Sequence, residues 1–124
     1  MFSYSSPSLP IFDGEHYDYW SSQMQTFFIS QDVWELVKDG YDDLPEKADE
    51  TEKKLHKENK KKDALALRYI QADVSKTIFP RIYGLKKSKE AWDTLKKEFL
   101  GNEKVVAIRL QTLWSDFDNL EMRK

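Results

Sequence analysis

The sequence predicts an all-α fold, and three observations carry that expectation. Apolar residues recur three and four positions apart in several separate segments, which is the spacing of one helix face. No stretch alternates apolar and polar residues long enough to compete as a strand. The four glycines and four prolines fall mostly between the periodic segments. With 124 residues the chain fits one domain with one core. Seven Phe, six Tyr and four Trp supply enough large apolar groups to offset the entropy of ordering. The expectation is a compact bundle of about five to six helices over residues 13–124, preceded by an extended arm over residues 1–12.

Residues 1–10 are rich in Ser and Pro and form the arm, anchored by Leu9, Ile11 and Phe12. Asp13-Gly14 reads as a turn. From about Glu15 to Ser30, Tyr17, Trp20, Met24, Phe27 and Phe28 fall on one broad helix face. Asp32 reads as the N-cap of a short helix from Val33 to Lys38, which Gly40 stops. Tyr41 to Lys47, with Asp42, Asp43 and Pro45, is a loop.

A long helix follows from about Ala48 to Asp73. Its first half is nearly all polar, with acid-first pairs Asp49/Lys53, Glu50/Lys54 and Glu58/Lys62, each worth about 0.2–0.5 kcal/mol. That half is expected to project from the body or fray. The second half, with Ala64, Leu65, Leu67, Tyr69, Ile70 and Val74, reads as buried. A short helix around Val74–Phe79 ends at Pro80 and Gly84. Ser88 reads as the N-cap of a helix over Lys89–Leu100, with Trp92, Leu95 and Phe99 on one face and Gly101 as the stop. The last helix starts near Glu103 and carries Val106, Leu110, Leu113, Phe117 and Leu120 as a seam widened by Trp114.

Composition excludes much chemistry. Without cysteine there is no disulfide framework, cysteine-ligated zinc site or thiol nucleophile. Apolar runs fall far short of the roughly 20 residues a membrane span needs, and the N-terminus does not read as a secretory leader. A cytoplasmic domain is expected. The net charge of −2 disfavours strong nucleic-acid binding by this segment, because phosphate binding needs a cationic excess. His16 and His56 read as solvated surface residues without a second ligand at metal-site spacing. The acids from Asp42 to Glu52 lack the calcium-loop pattern and read as a solvated loop. The run from Lys53 to Lys62 is offset by neighbouring acids and lacks interleaved aromatics, so it reads as a solvated helix face. Trp20, Trp34, Trp92 and Trp114 read as core. The chain holds no phosphate loop, dinucleotide fingerprint or nucleophile elbow. No catalytic, cofactor-binding or metal-ligating residue is expected, and no enzyme.

One pattern is more specific. Phe12, Gly14, Tyr17, Trp20 and Met24, followed by Trp34, Val37 and Gly40, follow the forms F-x-G-x-x-Y-x-x-W-x-x-x-M and W-x-x-V-x-x-G without a gap. Further on come Ala64-Leu65-Ala66-Leu67, Ile78-Phe79-Pro80-Arg81-Ile82, Lys89-Glu90-Ala91-Trp92-Asp93-Thr94-Leu95, Phe99, Gly101 and Leu110-Gln111-Thr112-Leu113. In order and spacing these pieces resemble the Gag polyprotein of copia-type LTR retrotransposons, especially plant ones, over roughly residues 9–124. The resemblance implies a lobe similar to the N-terminal lobe of retroviral capsid protein, which self-assembles into a particle around the element's RNA. The Cys-rich zinc knuckle that binds RNA in that family is not among these residues.

The resemblance implies a structural self-assembly module of a virus-like particle, with other copies of itself and of Gag as partners. The alternative is a host-adopted Gag-like adaptor that holds a peptide or protein between helices. Assembly contacts are expected on the arm, the first helix and the outer side of the last helix, with Leu9, Ile11, Leu113, Trp114, Phe117 and Leu120 as interface candidates.

Overall fold

Four α-helices make up the residues that the computed structural model describes, 9–100: α1 Tyr17–Ser30, α2 Trp34–Asp39, α3 Glu50–Ala72 and α4 Ser88–Leu95. A 3₁₀ turn at Phe79–Arg81 and a π-helical turn at Lys96–Leu100 complete the regular structure. The helical class of the sequence reading holds over these residues. The helix expected from Glu103 lies outside them.

α1 buries Tyr17, Trp20, Met24 and Phe28, the face its periodicity predicts. Its end departs from the expectation. Asp32 is not the cap of α2; it occupies the left-handed region at φ 60°. The Asp32 amide donates to the Ile29 carbonyl and the Val33 amide to the Phe28 carbonyl, at 3.1 and 3.0 Å. This is a Schellman closure of α1, with the buried residues Val33 and Phe28 at its two apolar positions. Asp tolerates the left-handed conformation better than most residues, which lets it stand where glycine is usual.

α3 opens on a capping box that the sequence reading passed over. The Glu52 amide donates to Asp49 Oδ1 at 2.8 Å, and the Asp49 amide donates to Glu52 Oε1 at 3.3 Å. Asp49 is therefore spent on the helix end, and Lys53 pairs with Glu50 at 3.7 Å instead. Lys62 reaches Asp32 at 3.9 Å rather than Glu58. The first turns of α3 are exposed, as expected of a polar half, but the helix continues unbroken. The burial of its second half differs from the expectation. Asp63, Ala66 and Ile70 face the core, Ala64 and Leu65 are exposed, and Leu67 and Tyr69 are half-buried.

No α-helix forms over Val74–Phe79. The Phe12 amide donates to the Asp73 carbonyl at 2.9 Å and the Ser75 amide donates to the Phe12 carbonyl at 2.8 Å, an isolated parallel bridge. Holding Val74 extended against Phe12 prevents the helix, and Ser75 then starts the turn, its Oγ accepting from the Ile78 amide at 3.3 Å. Ile78 and Ile82 still reach the core, from turns on either side of the 3₁₀ segment.

α4 packs against both α2 and α3. Its cap position is Lys87, not Ser88; Ser88 is the first helical residue and is fully buried. The π-helical turn that follows carries Phe99 to the far end of the core, where its ring meets Phe12 edge-on at 4.8 Å.

Candidate functional site

Phe12, Tyr17, Trp20, Met24, Trp34 and Val37 of the first motif converge on the core with Trp92, Leu95 and Phe99. Phe12 stacks on Trp20 at 5.2 Å, Trp20 on Trp92 at 5.7 Å, and Trp34 meets Trp92 edge-on at 5.5 Å. Tyr17 closes one flank against Phe12 at 5.6 Å. Such pairs contribute about 0.5–1.5 kcal/mol each beyond their buried area. Met24, Val37 and Leu95 are fully buried within the same cluster. Trp34 and Phe99 pack on its edge.

Trp20 does more than fill space. Its Nε1–H donates to the Asp73 carbonyl at 3.0 Å, the same oxygen that accepts from the Phe12 amide. One carbonyl thus ties the segment before α1, α1 itself and the end of α3. Gly14 has φ +106° in the turn between Phe12 and α1, a conformation closed to most side chains. At Gly40, φ +77° ends α2, and a Cβ there would stand 3.1 Å from the Lys89 side chain.

Two buried polar features were not anticipated. Asp63 is 2% exposed and its carboxylate accepts from both the Ser88 hydroxyl and the Ser88 amide, the latter at 3.1 Å. A side chain of α3 thereby satisfies one of the orphan amides at the start of α4. The signal was present in the sequence: Asp63 shares the helical spacing of Ala66 and Ile70, an acid inside an apolar stripe. The second is Asp73, whose Oδ2 is buried without a hydrogen-bond partner. Burial raises its carboxyl above the ordinary value.

His56 is half-buried rather than freely solvated, with its ring 5.6 Å from Tyr41. Tyr41 in turn lies under Lys87 at 4.8 Å, and Lys87 also reaches Asp43 at 3.4 Å. The Tyr41 hydroxyl is raised in pKa, chiefly by burial and next by the charge of Asp63. His16 is exposed and enters α1 from the left-handed region.

The surface holds the remaining candidates. α1 carries a single charged residue, Asp18, and its outer side exposes Tyr19 and Ile29 at 62% and 56% among Ser, Thr and Gln. A cleft of about 260 Å³ opens between α1, α2 and α4, bordered by Tyr17, Gln25, Trp34, Lys38 and Trp92. Of the interface candidates, Leu9 packs against the core and Ile11 is exposed. Leu113, Trp114, Phe117 and Leu120 lie outside the described residues. Among the described residues no His, Cys, Asp or Glu cluster is placed to hold a metal ion, and no helix is long and apolar enough to cross a membrane.

Comparison with known proteins agrees with the motif reading. No curated protein and no solved structure matches the chain. The family model described as gag-polypeptide of LTR copia-type matches residues 24–124, from the motif methionine to the end of the chain. Phe12 and Trp20 precede the matched range yet pack directly on Phe99 and Trp92 within it, and Tyr17 packs on both of them. By that match over most of its length, the chain belongs to the copia-type LTR retrotransposon Gag family.

Proposed function

We propose that this chain is a self-assembly module of a Gag capsid, contributing with other Gag copies to a particle shell around the element's RNA in the cytoplasm. The observation that carries this reading is the outer side of α1. In a chain with 34% charged residues, this helix holds one charge and presents Tyr19 and Ile29 to solvent. Depletion of charge with enrichment of Tyr is the compositional mark of a protein contact surface. Family membership supports a structural role in general, and the signature aromatics, being spent on a rigid core, leave function to the surface.

The test is the light-scattering mass of the chain across a concentration series, repeated for a Tyr19→Glu/Ile29→Glu variant. Mass that grows with concentration in the parent and grows markedly less in a folded variant supports the reading. A parent that is monomeric at every concentration, or a variant that associates unchanged, overturns it.

A second reading rests on the cleft between helices beside Trp34 and Trp92, where a short peptide would lie. In that reading the chain is a host-adopted adaptor. A saturable change in tryptophan fluorescence on titrating a peptide library into a strictly monomeric protein would favour it over assembly.

A further inference from the structure

The helical turn of α3 separates charges that the linear sequence interleaves. Lys54, Lys57, Lys61 and Arg68 follow one another at three, four and seven residues and share one exposed face, with Lys60 at its margin. That face lies opposite the buried stripe of Asp63, Ala66 and Ile70 and runs for about 20 Å. From Lys53 onward, α3 has two acids: Asp63 is buried, and Glu58 stands at the edge of the ridge. Among the described residues none of these five cations makes an ion pair; Lys53 and Lys62, to either side, are the ones held by Glu50 and Asp32. Leu65, 43% exposed, forms a shallow apolar shelf with Ala64, bordered by Glu58, Lys61, Lys62 and Arg68.

Another part of the same domain has the opposite charge. A cleft of about 460 Å³ between α2 and α3 is lined by Asp32, Glu35, Asp39 and Asp42, with Lys62 the one cation. Lys62 pairs with Asp32 and Lys38 with Asp39, which leaves Glu35 and Asp42 without an ion-pair partner among the described residues. The α3 residues at this cleft are Asn59 and Lys62; Lys62, which also borders the shelf, is about 100° around the helix from Lys61 on the ridge. The two patches therefore open in different directions and cannot satisfy each other within one molecule.

We propose that the basic α3 ridge of one copy docks on the acidic α2 face of the next. This rests on the self-assembly reading and names a contact for it. The two patches are different surfaces, so the contact is head-to-tail, the kind that closes into rings or extends a lattice, unlike a two-fold contact. A second copy fits better than a nucleic acid for two reasons. The chain has no cationic excess, with a net charge of −2, and the acidic face would repel a polyanion passing the ridge. The apolar shelf at Leu65 offers the desolvated contact a protein partner uses and a phosphate does not.

The test is reciprocal charge reversal in the full chain, with helicity checked by circular dichroism. Lys57→Glu/Lys61→Glu turns the ridge acidic, and Glu35→Lys/Asp42→Lys turns the cleft basic. All four positions are exposed, so the fold is retained. Sedimentation velocity should show each variant alone associating roughly tenfold more weakly than the parent, because both of its faces then carry one sign. An equimolar mixture of the two should recover association, since each supplies the complement the other lost. Parent association should weaken between about 50 and 500 mM salt as screening shortens the reach of these charges.

If the parent associates but the variants associate equally well, the head-to-tail contact is wrong while the assembly reading stands. A parent that stays monomeric at every salt and concentration overturns both. Tight binding of a single-stranded RNA oligonucleotide, lost in Lys57→Glu/Lys61→Glu with self-association unchanged, would assign the ridge to nucleic acid and overturn the proposal.

Discussion

Replacing Asp63 by Ala tests how α4 is held to α3. The carboxylate is 2% exposed and accepts from the hydroxyl and the amide of Ser88, itself fully buried. The substitution leaves both donors in the interior with no acceptor. Each buried unsatisfied donor costs about 1–3 kcal/mol, and hydrogen bonds to an ionised acceptor lie at the upper end. Removing the buried carboxylate recovers part of its desolvation penalty, which offsets some of that loss. The net expectation is a destabilisation of about 2–4 kcal/mol. For a domain of this size that corresponds to a fall in Tm of roughly 10–25 °C. Urea unfolding followed by tryptophan fluorescence reads it directly, since Trp92 lies in α4 and stacks on Trp20. Ser88→Ala removes only the hydroxyl and should cost less, about 1–2 kcal/mol. The double variant should lose less than the sum of the two single variants, because the hydroxyl partner is already gone. If Asp63→Ala costs less than about 0.5 kcal/mol, or the two changes add fully, the shared hydrogen-bond account is refuted.

Three further outcomes are expected. Trp20→Phe keeps an aromatic ring in the stack but loses the Nε1 bond to the Asp73 carbonyl, and should cost about 1–3 kcal/mol in the same unfolding assay; a neutral result would show that the bond contributes nothing net. Asp32→Gly should raise stability by up to about 1 kcal/mol, since φ 60° suits glycine and the exposed pair with Lys62 contributes little; a loss of stability would contradict the Schellman assignment. Asp73→Asn should stabilise the protein at neutral pH and much less in acid. Burial raises the Asp73 carboxyl in the folded state, so the folded chain holds its proton more tightly than the unfolded chain. The penalty for the charge is therefore complete above the raised pKa and fades as the pH falls through it. Denaturant midpoints of parent and variant that keep a constant gap from neutral pH into acid would exclude that linkage.

How far the fold can be read from the residues depends on the range of the interaction concerned. The face of α1, the stop at Gly40 and the face of α4 with Trp92 and Leu95 follow from spacing along one segment, and the structure keeps them. The capping box at Asp49 and Glu52 is equally local, three residues apart, and was open to the same reading. The acid at Asp63 was visible as a break in an apolar stripe, but its partner lies 25 residues away, and nothing near Asp63 names Ser88. The lysine run on α3 shows a further limit, because acids interleaved with it offset it along the chain, while the helical turn buries Asp63 on the opposite face and leaves Glu58 at the edge of the ridge.

The sequence by itself determined that the described residues are helical, where their α-helices lie, and which family the chain belongs to, because periodicity, turn residues and motif spacing are properties of short segments. Tertiary structure alone decided that Val74 is extended, since the Phe12 backbone takes the Asp73 carbonyl and the Ser75 amide from a distance of about 60 residues. It decided also that Leu65 stays in solvent while Asp63 does not. The phase of a helix is set by the neighbour it packs on, and the buried Ser88 at the head of α4 turns α3 so that its carboxylate faces inward.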